Sequence, residues 1–355
     1  MPRVPPLLEA EWKDDQRDLL ARLLPDDPVD PLVATLLHAP EIVEAVLPMT
    51  RYVTDESTLS PRHRLLLGLR TAWLERSDVL WGGYAARATS DLPEMTALTV
   101  GQGESEDVAG QSLLRMADEL VLNVSVTDST WTNLASDHDV AWLMDAVESV
   151  AHVSFLCCLA RSLGVQPASP ALARPEADRP AVPPRQPALT AARIEPTPGD
   201  GIAVLRTFAR HPALARARRP RSAFISGKSP LTPHDRETLI LRIGWDCQAE
   251  YEWAKHVGSV GHARDHGIDP ELVAAGPTAP RVSNHDALLM RVADDLHQDS
   301  RVSDAIWIAL LEQYGLAGAM SAIYTASAYR STSMSLNAYG VQLEAGDERL
   351  PARTE

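Results

Sequence analysis

Cysteine is nearly absent. Cys157, Cys158 and Cys247 are the three in a chain of 355 residues. None forms a C-x-x-C pair, which excludes a disulfide framework, a dithiol redox motif and a cysteine-rich zinc site. Basic residues are also outnumbered: 33 Lys and Arg stand against 48 Asp and Glu, a net charge of −15. Nucleic acid and anionic membrane surfaces reward clustered Lys and Arg, so neither is an expected partner. No run of about 18 apolar residues is present, so no membrane span is expected. The opening Met1-Pro2-Arg3-Val4-Pro5-Pro6 lacks the apolar stretch of a secretion signal, and a cytoplasmic location is expected. There is no glycine-rich nucleotide loop, no cofactor-lysine context and no metal-binding motif, so no cofactor and no metal are expected.

What is there is a duplication. Leu59-Ser60-Pro61, Arg64, Arg70, Trp73 and Trp81 return as Leu231-Thr232-Pro233, Arg236, Arg242, Trp245 and Trp253, each pair 172 positions apart. Further on, Arg115, Ala117-Asp118, Asp128, Trp131 and Gly164-Val165-Gln166 return as Arg291, Ala293-Asp294, Asp304, Trp307 and Gly340-Val341-Gln342, now 176 apart. Residues kept in both copies are expected to serve the fold. Polar residues found in one copy alone are candidates for chemistry.

The pattern reads as all-α, with no alternating strand. Ser60-Pro61 and Thr232-Pro233 are N-cap and N1-proline signals. A helix is expected from Tyr251 to His266 with Gly267 at its end, a short one at Pro270–Val273, and others capped by Asn284 and Ser303. The small-residue stretch Gly315–Leu336 is expected to be a buried central helix. The acidic stretch Gly101–Gly110 reads as a loop. The proline-rich segment from Pro167 to Pro198 reads as an exposed linker. The expected organisation is a first domain over 1–166, a linker over 167–199 and a second domain over 200–355.

Subtracting one copy from the other isolates Glu237, Glu252 and His256. Their places in copy one hold Leu65, Leu80 and Tyr84. Glu252 and His256 are four apart, on one helix face. A carboxylate beside an imidazole sets its tautomer and raises its basicity, which suits proton transfer. Burial beside Trp245 and Trp253 is expected to raise the carboxylates' pKa values. Trp253 and Trp245, with Tyr324 on the central helix, are expected to wall the substrate pocket. The same three ionisable groups could hold a metal, but a second histidine one turn from the first is missing. Copy one has its own stripe, Asp145, Glu148 and His152, which reads as a satisfied cluster or interface, with a second site as the sharper alternative.

The run Leu231-Thr-Pro-x-x-Arg236-Glu237, Leu241-Arg242 and Cys247-x-Ala-Glu-Tyr-Glu-Trp253-x-x-His256 resembles the carboxymuconolactone decarboxylase family, which also contains the alkylhydroperoxidase type of thiol peroxidase. The likeness covers most of copy two and, more faintly, copy one. It implies two tandem helical domains of that type, no organic cofactor, and homo-oligomers, here a dimer or trimer of double units. In the peroxidase type two cysteines would fall on Ala249 and Glu252, so thiol chemistry is not expected. The resemblance implies instead acid/base catalysis on a small carboxylate, lactone or enol, with His256 moving the proton, Glu237 relaying and Glu252 assisting. The alternative is a non-catalytic small-molecule-binding or scaffold protein. A metal-dependent lyase ranks below both.

Overall fold

The structure, a computed structural model, describes the chain apart from residues 1, 26–27, 92–99, 101–102, 106–107, 168–173, 175, 177, 183 and 353–355, and apart from the side chains of 89–91. Among the described residues every regular element is helical and no strand occurs. The fold is all-α.

The kept residues explain themselves as framework. Helices Pro61–Leu74 and Pro233–Asp246 start under their expected caps: Ser60 Oγ accepts from the His63 N–H at 3.2 Å and Thr232 Oγ1 from Asp235 N–H at 3.1 Å. Arg70 Nε donates to Asp118 at 2.6 Å, and Arg242 Nε to Asp294 at 2.5 Å. Each guanidinium also stacks on the tryptophan three residues later, 4.8 Å over Trp73 and 4.7 Å over Trp245. The repeated Gly-Val-Gln ends the long helix of each copy. Gly164 and Gly340 take the left-handed conformation, with φ of 70° and 65°. The following Val165 and Val341 N–H groups then close back on Ala160 and Leu336. Gln166 and Gln342 donate to the carbonyls of the two glycines.

The duplication starts earlier than Leu59. Helix Pro40–Arg51, with Pro48 inside it, runs into a π-helical turn at Tyr52–Glu56; helix Pro212–Ala223, with Pro220 inside it, runs into another at Phe224–Lys228. Proline cannot donate to the preceding turn and pushes its carbonyl aside, so both helices loosen at the same place. Within these helices the two prolines and Ala45/Ala217 are the identities that survive.

The two copies interleave. Helices Val140–Leu163 and Asp304–Tyr339 pack along one another at the centre. The early helices of each copy contribute to a core with the late helices of the other: Leu32–Leu47 joins Leu288–Ala328, and Phe208 and Leu214 join Leu113–Val153. Short straps cross in the same sense. Arg3 pairs with Asp304 and lies over Trp307, while Arg193 pairs with Asp128 and lies over Trp131. The apolar cores therefore run across the repeat boundary at 167–199. Within that segment Arg179 and Arg185 are docked. Arg185 donates to the carbonyls of Asn123 in copy one and of Cys247 and Gln248 in copy two.

Four expectations need correction. The helix expected over Tyr251–His266 stops at Val257, where Gly258 leaves helical geometry, and a separate turn forms at Ala263–His266. The N-cap is Ser283, not Asn284, because the Ser283 hydroxyl reaches the Asp286 N–H at 3.0 Å. Gly101–Gly110 lies partly outside the described residues; of the rest, Gly103–Ser105 is irregular, but Val108–Gly110 already belongs to helix Val108–Asn123. Two helices, Val140–Leu163 and Asp304–Tyr339, are long and apolar enough to cross a membrane despite their scattered polar residues, and the apolar stretch of the first is wholly buried inside the protein. Gly315, with φ 64° and ψ −175°, breaks the second of them before its buried half.

Candidate active site

Helix Pro233–Asp246 presents Arg236 and Glu237. Helix Glu250–Val257 presents Glu252 and, in its last turn, His256. They meet in a closed group. His256 Nδ1 lies 2.6 Å from Glu237 Oε2, and Nε2 lies 3.1 Å from Glu252 Oε1. Arg236 Nε donates to the other Glu237 oxygen at 2.9 Å. Tyr329, from the central helix, meets the imidazole edge-on with ring centroids 4.9 Å apart. Glu237, Glu252 and His256 are all at least 95 % buried.

Both ring nitrogens of His256 thus face carboxylates, which can only accept, so the ring carries both protons. Burial works against the imidazolium, but the hydrogen bonds to Glu237 and Glu252 outweigh it and hold the His256 pKa up at about 9. The helix C-terminus adds its negative end. Glu237 goes the other way from expectation. Burial does raise its carboxyl, yet the hydrogen bond and charge of His256, with Arg236 behind, bring it below the usual glutamate value. Burial beside tryptophan is the wrong guide on its own, because the acid is buried together with its cations.

The chain after His256 folds back over this group. A Cβ at Gly261 would fall 2.3 Å from Glu237 Oε2 and 2.4 Å from the His256 carbonyl oxygen, so only glycine fits there. One Glu252 oxygen, Oε2, is buried with no partner among the described residues.

The three residues expected to wall the pocket are fixed by other contacts. Trp253 is fully buried in a small cluster with Leu241, Val257 and Ala263. Trp245 lies under Arg242. Tyr324 packs edge-on between Phe155 and Phe224, at 5.1 and 4.7 Å. Arg236, Tyr329 and Gly261 take the nearer places, and the sequence reading does not reach them. Arg236 reads as framework because Arg64 repeats it, but Arg64 donates to Ser57 and to the Thr54 carbonyl, where Arg236 donates to Glu237. Tyr329 stands where copy one has Val153, so the subtraction that isolates His256 is also able to find it.

In copy one Tyr84 occupies the place of His256, and Gly68 makes room for it: a Cβ there would lie 2.4 Å from the tyrosine ring. A pocket of about 270 Å³ remains beside Tyr84, Leu65 and Arg64.

The stripe of copy one is an internal polar seam with helix Pro212–Ala223. Asp145 accepts from Tyr52 at 2.7 Å and from both the backbone and hydroxyl of Thr58, with His211 3.1 Å away. Glu148 pairs with Arg218 and accepts from Ser335. His152 Nδ1 accepts from Arg221 at 2.7 Å, and its Nε2 meets Thr50 at 2.9 Å. Burial first, and then Arg221 and Arg218, keep His152 neutral. Across the repeat the same places carry no charged residue: Ala39, Val46 and Met49 replace His211, Arg218 and Arg221, and Ser321, Tyr324 and Ala328 replace the stripe.

Comparison of the chain with protein-family models, with curated proteins and with solved structures gave no match.

Proposed function

We propose that the chain is a cofactor-independent acid/base enzyme of the carboxymuconolactone decarboxylase type, acting on a small carboxylate, lactone or enol. The observation that carries this reading is the buried imidazole held between Glu237 and Glu252. It exists in one copy only, and a framework does not require it, because copy one folds around Leu65, Leu80 and Tyr84.

The charge state specifies the role. With its pKa held at about 9, His256 enters the reaction at neutral pH as an acid. Glu237 retains Nδ1–H and stabilises the cation. Glu252 holds Nε2–H in the resting state and yields it when substrate arrives. In a decarboxylation, the bond to the carboxylate breaks, carbon dioxide leaves, and the electron pair stays on the α-carbon as an enolate. The Nε2 proton then passes to that carbon. Isomerisation or cyclisation uses the same proton without carbon loss. Arg236, about a fifth of whose side chain is exposed, offers a guanidinium to the incoming carboxylate. Thiol chemistry gains no support: Cys247 is fully buried and burial pushes its thiol up to about 12.

The second reading, a non-catalytic small-molecule-binding or scaffold protein, draws on the same closure, since His256 is only 5 % exposed. The two readings separate in deuterium oxide. The protein is incubated with a panel of β-keto acids, carboxylated lactones and enols, and solvent deuterium at the α-carbon is followed by NMR. Incorporation that disappears in His256→Gln supports the enzyme. Binding of a panel member without incorporation supports the alternative.

A further inference from the structure

One turn before Glu237 stands a second ionisable cluster, with its own partners. Helices Pro233–Asp246 and Asn284–Asp299 start close together, and each brings a His-Asp pair in its first turn: His234-Asp235 and His285-Asp286. The pairs are crossed. His234 Nε2 lies 2.8 Å from Asp286 Oδ1, and His285 Nε2 lies 2.6 Å from Asp235 Oδ1. One ligand atom from each of His234, His285 and Asp286 falls within 4.8 Å of the others.

Their remaining atoms are fixed from behind. His234 Nδ1 faces the His266 carbonyl at 2.9 Å. A carbonyl only accepts, so Nδ1 keeps its proton, and Nε2 is left to hold either a second proton or an ion. Asp286 Oδ2 accepts from Ser283 Oγ at 2.8 Å, which aims Oδ1 at Nε2. Without an ion a second ring proton bridges Nε2 and Oδ1 at 2.8 Å, and a metal ion would take that proton's place. A carbonyl behind an imidazole and a hydroxyl behind a carboxylate are the supports that metal ligands use. His285 Nδ1 faces the Gln313 amide and Tyr314 lies 3.4 Å from Nε2; an ion bound at Nε2 would take the place of the proton that Nε2 shares with Asp235.

The local charge suits a cation. Each helix start opposes one with about half a positive charge. Asp235 and Asp286 bring two full negative charges, so with both imidazoles neutral roughly one remains in excess. His234, His285 and Asp286 are partly exposed, which lets an ion enter without unfolding.

We propose that His234, His285 and Asp286 form a binding site for a divalent transition ion of the zinc class. Two imidazoles and a carboxylate favour Zn²⁺ or Co²⁺ over Mg²⁺ or Ca²⁺, which prefer all-oxygen sites. The bound ion would tie the start of the helix carrying Glu237 to its neighbour Asn284–Asp299.

The test uses the full chain, stripped with a chelator and freed of it. Zn²⁺ is titrated by calorimetry and Co²⁺ by its visible absorption, with Mg²⁺ as a control. The variants are His285→Ala, Asp286→Asn and, as a control outside the cluster, His262→Ala. Expected are one equivalent of Zn²⁺, no response to Mg²⁺, and affinity reduced at least about tenfold in the two cluster variants but not in His262→Ala. Absence of saturable Zn²⁺ binding, or unchanged affinity in both cluster variants, would overturn the proposal. If a variant does not fold, the wild-type imidazole NMR signals decide. Zn²⁺ must move His234 and His285 before any other histidine; any other order refutes the site.

Discussion

Replacing Glu237 by Gln should release His256 from its raised pKa. The rise from 6.5 to about 9 corresponds to roughly 3 kcal/mol of preference for the charged ring. That preference is what remains after burial has pulled the other way, and two carboxylates share it, with the 2.6 Å contact to Glu237 the closer. Glutamine keeps the shape and one hydrogen bond but removes the charge. The imidazole should therefore titrate roughly one to two pH units lower in the variant. The sign for stability follows. A raised histidine pKa stabilises the fold fully below 6.5, and that contribution is lost as pH rises through about 9. The lowered Glu237 pKa stabilises the fold above the ordinary value of 4.5 and is lost as pH falls through its depressed value. The assay is NMR titration of the His256 ring in both proteins, with thermal melting followed from about pH 6 to about pH 10. The wild type should lose stability over the upper part of that range, and the variant should show a flatter profile. A wild-type ring titrating at or below 6.5, or a variant ring titrating with the wild type, would refute both the pairing and the acid role built on it.

Further outcomes can be checked on the same material. Gly261→Ala should cost about 1–3 kcal/mol by denaturant melting, because its methyl group collides with Glu237 and the His256 carbonyl; an unchanged midpoint would show that the turn has room. Arg330→Met should cost about 3–5 kcal/mol, since it strands Glu75, buried with Arg330 at 2.8 Å. Adding Glu75→Gln to that variant should recover part of the loss, and strict additivity of the two changes would contradict the pair. Arg221→Met should destabilise by about 1–3 kcal/mol by removing the donor to His152 and Ser331; no change in melting would show that the polar seam contributes nothing.

The helical class, the duplication and the acid/base trio are legible in the chain alone, because they are local or subtractive signals. A proline after Ser or Thr starts a helix wherever it sits, and Glu252 and His256 share a face at any spacing of four. The Gly-Val-Gln repeat likewise encodes a helix end within three residues. Folding in space settles whatever depends on residues far apart in the chain. That the copies exchange their early helices follows from packing between Leu32–Leu47 and Leu288–Ala328, which no periodicity announces. The polar seam is visible as Asp145, Glu148 and His152, but its meaning lies in His211, Arg218 and Arg221, some 70 residues later. The charge state of His256 and Glu237 is set in space as well. Burial alone raises a carboxyl and lowers an imidazole, and only the approach of the two groups to within 2.6 Å reverses both signs.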